Sequence, residues 1–580
     1  MFNSFKLSMA WVHTWFGLVL GFVLMVCFFF GSLAVFDREI DRWAIPETRF
    51  EPQPMPSFDR VLLPTLQALE PDPVDYATNM PRLHDPSKGP MTPRTELPVD
   101  EYWAYVTHRD PVLSAGVGYG VPLAKNPEDH NHIHKNVTID PRTGAVLPDD
   151  KLKIGSRWFY PMHYSLQLKW KNLGIFMVGL AALVMLAALV TGLIMHRKVF
   201  REFFTFRPWK RTQRASLDLH NLTGVVGLPF HFFFAFTGLV IFAGHFYLPV
   251  ASTLLDPLHK QHEATEAVAT GLPHERAGVP AGMASVDAMV EEAKRRWAER
   301  DMAGEVGFLV MHHVGDANSY VSIYRAGSDR VALVGEGIHF KTSTGELLSE
   351  DSPRSVVSET NEFLTGLHLQ HFEHWFLRWL YVLGGLLGAV CIATGFVFFV
   401  EKRKAQHAKT GSAGARVVDA MAVTTTVGMV LAAVGMLLAN RLLPADLLGK
   451  GDVEKYAFWA VWVAALLHAA LRSAPVRMAR INPAWREQCW ALAAVCVLAV
   501  GSNWLSTGDH LIKTVFTQPY WPVAGVDLSL LACAAVSAWA GLKLAARERG
   551  AENHLNGQVT AQHAGGSGQR TGSHTEVAHG

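Results

Sequence analysis

Residues 217–245 read LDLHNLTGVVGLPFHFFFAFTGLVIFAGH. From 222 to 243 the run is apolar enough to cross a bilayer, yet His220 stands at one end, His231 inside and His245 at the other end. His220 and His231 are 11 residues apart. On a helix they therefore share a face, about 16 Å apart along the axis at 1.5 Å per residue. An ionisable side chain in a membrane is expensive and marks a functional position by default. A neutral imidazole is also a common metal and haem ligand. The competing reading is that each histidine hydrogen-bonds to a neighbouring helix.

Working outward, the 580 residues are 49% hydrophobic and 18% charged, with a formal net charge of +1. So low a charged fraction indicates a membrane protein, and near-neutrality excludes a general nucleic-acid binder. The five cysteines, Cys27, Cys391, Cys489, Cys496 and Cys533, all fall in apolar segments. That excludes a disulfide framework, a thiolate zinc site and iron–sulfur spacing. The first apolar run, 9–36, is too long for a signal-peptide core and reads as a retained anchor.

Eight segments reach spanning length, at about 10–36, 173–197, 219–246, 376–400, 418–440, 456–472, 487–506 and 524–546. Basic residues cluster in the connections 197–214, 401–416 and 472–486, which makes these cytoplasmic. Both chain ends are then cytoplasmic, and 37–172 and 247–375 lie outside, in the periplasm of a multi-pass inner-membrane protein. Each of these two stretches ends in a Thr-Gly hairpin signal, NVTIDPRTGAVLPDD at 136–150 and GIHFKTSTGELLSED at 337–351. Residues 285–300 have helical periodicity, 306–324 read as strands, and 46–98 are proline-rich and irregular. The polar end, 548–580, reads as a disordered cytoplasmic tail.

A repeat underlies this order. HTWFG starts at His13, with a further glycine at Gly31; HNLTG starts at His220, with a further glycine at Gly238. The His-to-Gly spacings, 4 and 18, are identical in the two copies. Copy one continues with His163 and closes on Thr191-Gly192; copy two continues with His368 and closes on Thr394-Gly395. Residues 1–198 and 215–404 are thus two copies of helix, external module and helix, joined by a loop at 199–214. Four further helices occupy 417–547. The expected fold is a membrane all-α helical bundle of about eight transmembrane helices with two small external α+β modules.

The histidines sort into two layers. His13, His196 and His220 lie near the cytoplasmic face; His163, His245, His368, His371 and His374 lie near the external face, with His231 between. Two stacked b-type haems need such layers, each with axial imidazoles and an apolar slot. Repeat symmetry pairs His13 with His220 inside and His163 with His368 outside. His196 is an alternative to His13, and His371 or His231 to an outer ligand. His245 and His374 read as interfacial, and His468 in the added helices as structural.

The motifs HTWFG, VTGLIMHRK, FRPWKR, LDLHN, LPFH and ATGF, with the external Thr-Gly hairpins, resemble those of the PepSY-associated transmembrane family over about residues 8–404. Some members of that family are inner-membrane reductases of ferric siderophores that carry two haems. The resemblance implies PepSY-like external modules, two b-type haems, and reduction of a ferric siderophore or other ferric chelate outside. The chain has no GxGxxG after a strand, so the electron donor is another molecule, a cytoplasmic reductant or a quinol. The alternative is a membrane-anchored PepSY binding or peptidase-regulating protein without redox activity.

In EDHNHIHK, His130, His132 and His134 alternate, so on a strand they share one face. They form a candidate metal site, weighed against ordinary exposed histidines. His312 and His313 are adjacent and would point opposite ways on a strand, so no joint role is expected of them.

Overall fold

In a computed structural model the described residues are 4–71, 97–121, 131–147, 152–195, 206–242, 271–332, 336–351, 355–410, 413–473 and 482–566. His130, His196 and His245 lie outside them. The chain divides into two compact units, Met1–Val199 with Gly224–Ala389, and Phe200–Thr223 with Val390–Gly580.

Among the described residues five helices are long and apolar enough to cross a membrane: Trp170–Met195, Trp375–Lys404, Gly414–Leu442, Ala484–Thr507 and Trp521–Gly550. Two bent pairs, Phe5–Val19 with Gly21–Ala34 and Thr212–Val226 with Leu228–Phe242, raise the number to seven. The bends are 59° and 63°. The second falls at Gly227, with Pro229 in the following turn, where it removes a helical donor. The sixth expected segment, 456–472, is helical within Lys450–Arg472, a helix with charged first turns that is not among those five. The membrane character is visible on the helix surfaces: Leu180, Leu183 and Val190 are more than half exposed, as residues bathed in lipid would be.

In the first unit the helices pack through small residues, as membrane helices do. A Cβ on Gly384 would stand 2.6 Å from the Phe230 ring, and one on Gly388 would run into the Phe28 ring. These glycines let the aromatic side chains seat against the helix backbone.

The two stretches expected to lie outside do not form two separate sheets. They make one antiparallel sheet of eight strands in the order β4-β3-β2-β1-β5-β6-β7-β8. The strands are β1 Val99–Tyr105, β2 Leu113–Val121, β3 Asn131–Ile139, β4 Val146–Leu147, β5 Val306–His312, β6 Tyr320–Arg325, β7 Gly337–Lys341 and β8 Leu347–Glu350. The seam is β1 against β5, with Tyr102 opposite Met311 and Ala104 opposite Leu309. Each copy supplies four strands in the same order. Pairing β1 to β5 removes an open edge from each. Both hairpins turn through a glycine of positive φ, Gly144 and Gly345, each at 75°.

One apolar core serves both halves. Tyr102, Ala104, Val117 and Ile139 from copy one join Leu309, Met311, Ile323 and Phe340 from copy two. Two helices cover this face. One is Val286–Glu299, as its periodicity predicts. The other corrects the irregular reading of 46–98: Phe58–Leu62 and Leu63–Gln67 form a short helix that buries Phe58, Leu62 and Leu66.

In the second unit Glu454 is fully buried and accepts a hydrogen bond from Asn440 at 2.7 Å. His468 engages Glu487 at 2.9 Å. The tail is a further correction. Instead of disorder from 548, the last helix runs Trp521–Gly566. Its Ala-, Arg- and Glu-rich continuation favours helix, and Arg486 pairs with Glu548.

Candidate functional site

Four histidines of the two copies sit against four glycines. In the first unit His13 lies over Gly192, His163 over Gly31, and His368 over Gly238; in the second, His220 lies over Gly395. Distances from an imagined glycine Cβ to the nearest ring atom are 3.5 Å for His13, 2.8 Å for His163, 3.1 Å for His368 and 3.2 Å for His220. The pattern obeys the repeat: the first histidine of each copy meets the closing Thr-Gly, and the second meets the glycine 18 residues after the first.

Each ring is also oriented through Nδ1. His163 Nδ1 donates to the Cys27 carbonyl at 2.8 Å, and His220 Nδ1 to the Cys391 carbonyl at 2.7 Å. His13 Nδ1 faces the Ala188 carbonyl at 3.1 Å and Thr191 Oγ1 at 3.2 Å. His368 Nδ1 faces Thr237 Oγ1 at 2.8 Å, and Thr237 donates its own proton to the Phe233 carbonyl. A carbonyl can only accept, so in a neutral ring the proton sits on Nδ1 and Nε2 carries the lone pair. That tautomer is the one a metal-ligating imidazole requires.

His163 and His368 come together. Their ring centroids are 6.0 Å apart with 28° between planes. Burial holds the His163 imidazole below its ordinary pKa and pushes His368 down to about 3. Both line a cavity of about 870 Å³ in the first unit. One part of its wall is apolar, from Leu24, Phe28, Val178, Met185, Phe234 and Ile241; another is polar, from Arg38, His108, Arg109, Arg325 and His371. Tyr105, Phe308 and Tyr324 of the sheet line it as well.

The polar side is built by ion pairs. Arg109 donates to the Val35 carbonyl and to Asp37, each at 2.8 Å. Arg378 donates to the same carbonyl at 2.7 Å and to Glu39 at 2.8 Å. Arg38 pairs with Asp110 at 2.8 Å. Burial lowers the His108 and His371 pKa values to about 4 each, with Arg109 adding to the effect at both.

Of the other expected residues, His231 is buried with its ring edge-on to Phe28, 5.5 Å between centroids, and is absent from the cavity wall. His13 and His220 belong to different units, and each is oriented within its own. His132 and His134 do share a sheet face, joined there by Glu101. Sequence reasoning missed the part of Gly192 and Gly395, although their Thr-Gly signals were visible. It also missed Arg38 and Arg109, which carry no motif.

Residues 10–402 match the family model described as the PepSY-associated TM region. Over 395 residues the chain is 27% identical to an uncharacterized protein of Pseudomonas aeruginosa, a match covering 64% of this chain and 92% of that relative.

Proposed function

The chain belongs to the family of the PepSY-associated TM region, and on that premise we propose that it is a haem-dependent oxidoreductase of the inner membrane. It takes electrons from a cytoplasmic reductant or a quinol, and reduces a ferric siderophore or other ferric chelate on the external face. The donor loses one electron for each Fe³⁺ that becomes Fe²⁺, and the weaker hold of hard oxygen ligands on Fe²⁺ releases the iron. Eight spans, PepSY-like halves of the sheet and cytoplasmic chain ends are part of this reading.

The observation that carries it is the repeat-matched set of four histidine–glycine pairs, each with Nδ1 tied and Nε2 left with its lone pair. The residues fit two b-type haems. His163 and His368, whose ring centres are 6.0 Å apart, would hold one such group between them. The apolar wall suits a macrocycle. His13 in the first unit and His220 in the second are each a candidate ligand of an inner group. Bound there, haem supplies a one-electron carrier. The chain's part is to fix the imidazole planes through Nδ1 and to exclude water from the apolar slot.

A pyridine haemochrome assay on protein expressed with ample haem tests this. Two b-type haems per chain are expected, with His220→Ala and His368→Ala each losing one. No haem in the wild-type protein overturns the reading. Reporter fusions after Gly345 and Lys404 test the orientation, with external and cytoplasmic signals expected respectively.

A further inference from the structure

We propose that Glu101, His132 and His134 form a binding site for a divalent first-row transition metal ion on the sheet, separate from the histidine–glycine pairs and independent of the electron-transfer reading. One donor atom from each residue lies within 4.8 Å of the other two. Two imidazoles and a carboxylate are the donor set that such ions take while keeping open positions for water or a further ligand. Donors bound to one ion at about 2.1 Å are roughly 3.4 Å apart, and rotation of the exposed His134 closes the difference.

Three features prepare the site. The first is the register. Glu101 on β1 and His134 on β3 are both opposite Gly118 of β2. A Cβ there would stand 3.2 Å from Glu101 Oε2 and 3.5 Å from His134 Cε1. The glycine leaves the space in which the two side chains lean together across the intervening strand.

The second is an outer ring of partners. His132 Nε2 bonds Asp100 at 2.8 Å, which fixes the plane of the ring. Asp100 is held in turn by Arg276 at 2.5 Å. His312 bonds Glu101 Oε1 at 2.9 Å, leaving Oε2 toward Gly118. Carboxylates and imidazoles placed behind ligands in this way fix their orientation and raise affinity. The third is a β-bulge between Val99 and Glu101. It turns Asp100 to the face of Glu101, where an unbroken strand would have sent it to the core. The same face carries Tyr105 four residues along β1, roughly 13 Å away at 3.3 Å per residue. That residue lines the cavity.

The test is Zn²⁺ binding to full-length untagged protein by competition with a chromophoric chelator. His554, His563, His574 and His579 are retained in every variant, so that their contribution is common to all. Wild type and the exposed-surface control His274→Ala should each bind one more equivalent than His134→Ala or Glu101→Gln. Gly118→Ala, which removes no ligand, should weaken that equivalent by about 10-fold or more. Zn²⁺ should raise the melting temperature of wild type above that of His134→Ala at equal concentration, which separates loss of the site from loss of the fold. Equal stoichiometry in wild type, His134→Ala and Glu101→Gln overturns the proposal, whatever the haem content.

Discussion

Asp59 and Asp287 cap each other's helices. Asp287 accepts from Ser57 Oγ at 2.5 Å and from the Phe58 amide at 2.7 Å, at the start of the copy-one helix. Asp59 accepts from Ser285 Oγ at 2.7 Å and from the Val286 and Asp287 amides at 3.1 and 3.2 Å, at the start of the copy-two helix. Each carboxylate faces the positive end of the other helix. Replacing either by alanine should cost about 1–2 kcal/mol, the upper part of the range for a lost cap, and asparagine should recover part of it. Thermal unfolding in detergent measures this; unchanged melting in both alanine variants would refute the reciprocal arrangement.

Glu39 bridges two guanidinium groups, Arg378 at 2.8 Å and Arg109 at 3.5 Å, and all three side chains are less than 15% exposed. Removing its charge takes from Arg378 its carboxylate in a low-dielectric setting, while Arg109 keeps Asp37. Glu39→Gln should therefore destabilise by about 3–5 kcal/mol, the cost of breaking a buried pair. Chemical denaturation is the measurement. A change below about 1 kcal/mol would place the group among ordinary surface pairs.

His108 and His371 give a pH dependence with a definite sign. Their folded pKa values, about 4, lie below the ordinary 6.5. Between those limits the unfolded chain binds more protons, so stability falls as the medium is acidified from pH 6.5 to 4. Melting temperature should drop across that window, and less steeply in His108→Gln. An equal slope in the variant would show that His108 is not the titrating group.

The four glycines should differ in tolerance. A Cβ on Gly31 would come within 2.8 Å of His163, whereas one on Gly192 would meet His13 at 3.5 Å, an ordinary contact. Gly31→Ala should displace His163 and, under the proposed function, lower haem content toward one per chain. Gly192→Ala should keep nearly two. The reverse order would disconnect the glycines from the histidines they face.

The repeat was legible because it is written in spacing. His13 to Gly31 and His220 to Gly238 are both 18 residues. What spacing could not tell was which ring each glycine receives, since that depends on how helices pack. The short helix at Phe58 was hidden by its prolines, Pro52, Pro54, Pro56 and Pro64; Pro64 is harmless because it sits in the first turn of Leu63–Gln67. The opposition of His312 and His313 failed for a local reason. The strand ends at His312 and His313 takes a φ of 53°, which brings it within 3.6 Å of Asp100. The single sheet had no local signal at all, because its seam joins residues about 200 apart in sequence.

That seam sets a timetable for biosynthesis. Tyr102 and Met311 are partners, and the apolar helices Leu173–Met195, Thr212–Val226 and Leu228–Phe242 are among the elements made between them. At roughly 5–20 residues per second, about 10–40 s separate the synthesis of the two strands. During that interval β1 presents an unpaired hydrogen-bonding edge, and the apolar face behind it lacks half its cover. Insertion of the intervening helices must therefore precede completion of the sheet, and a nascent chain delayed at that step is the form most exposed to proteases and chaperones.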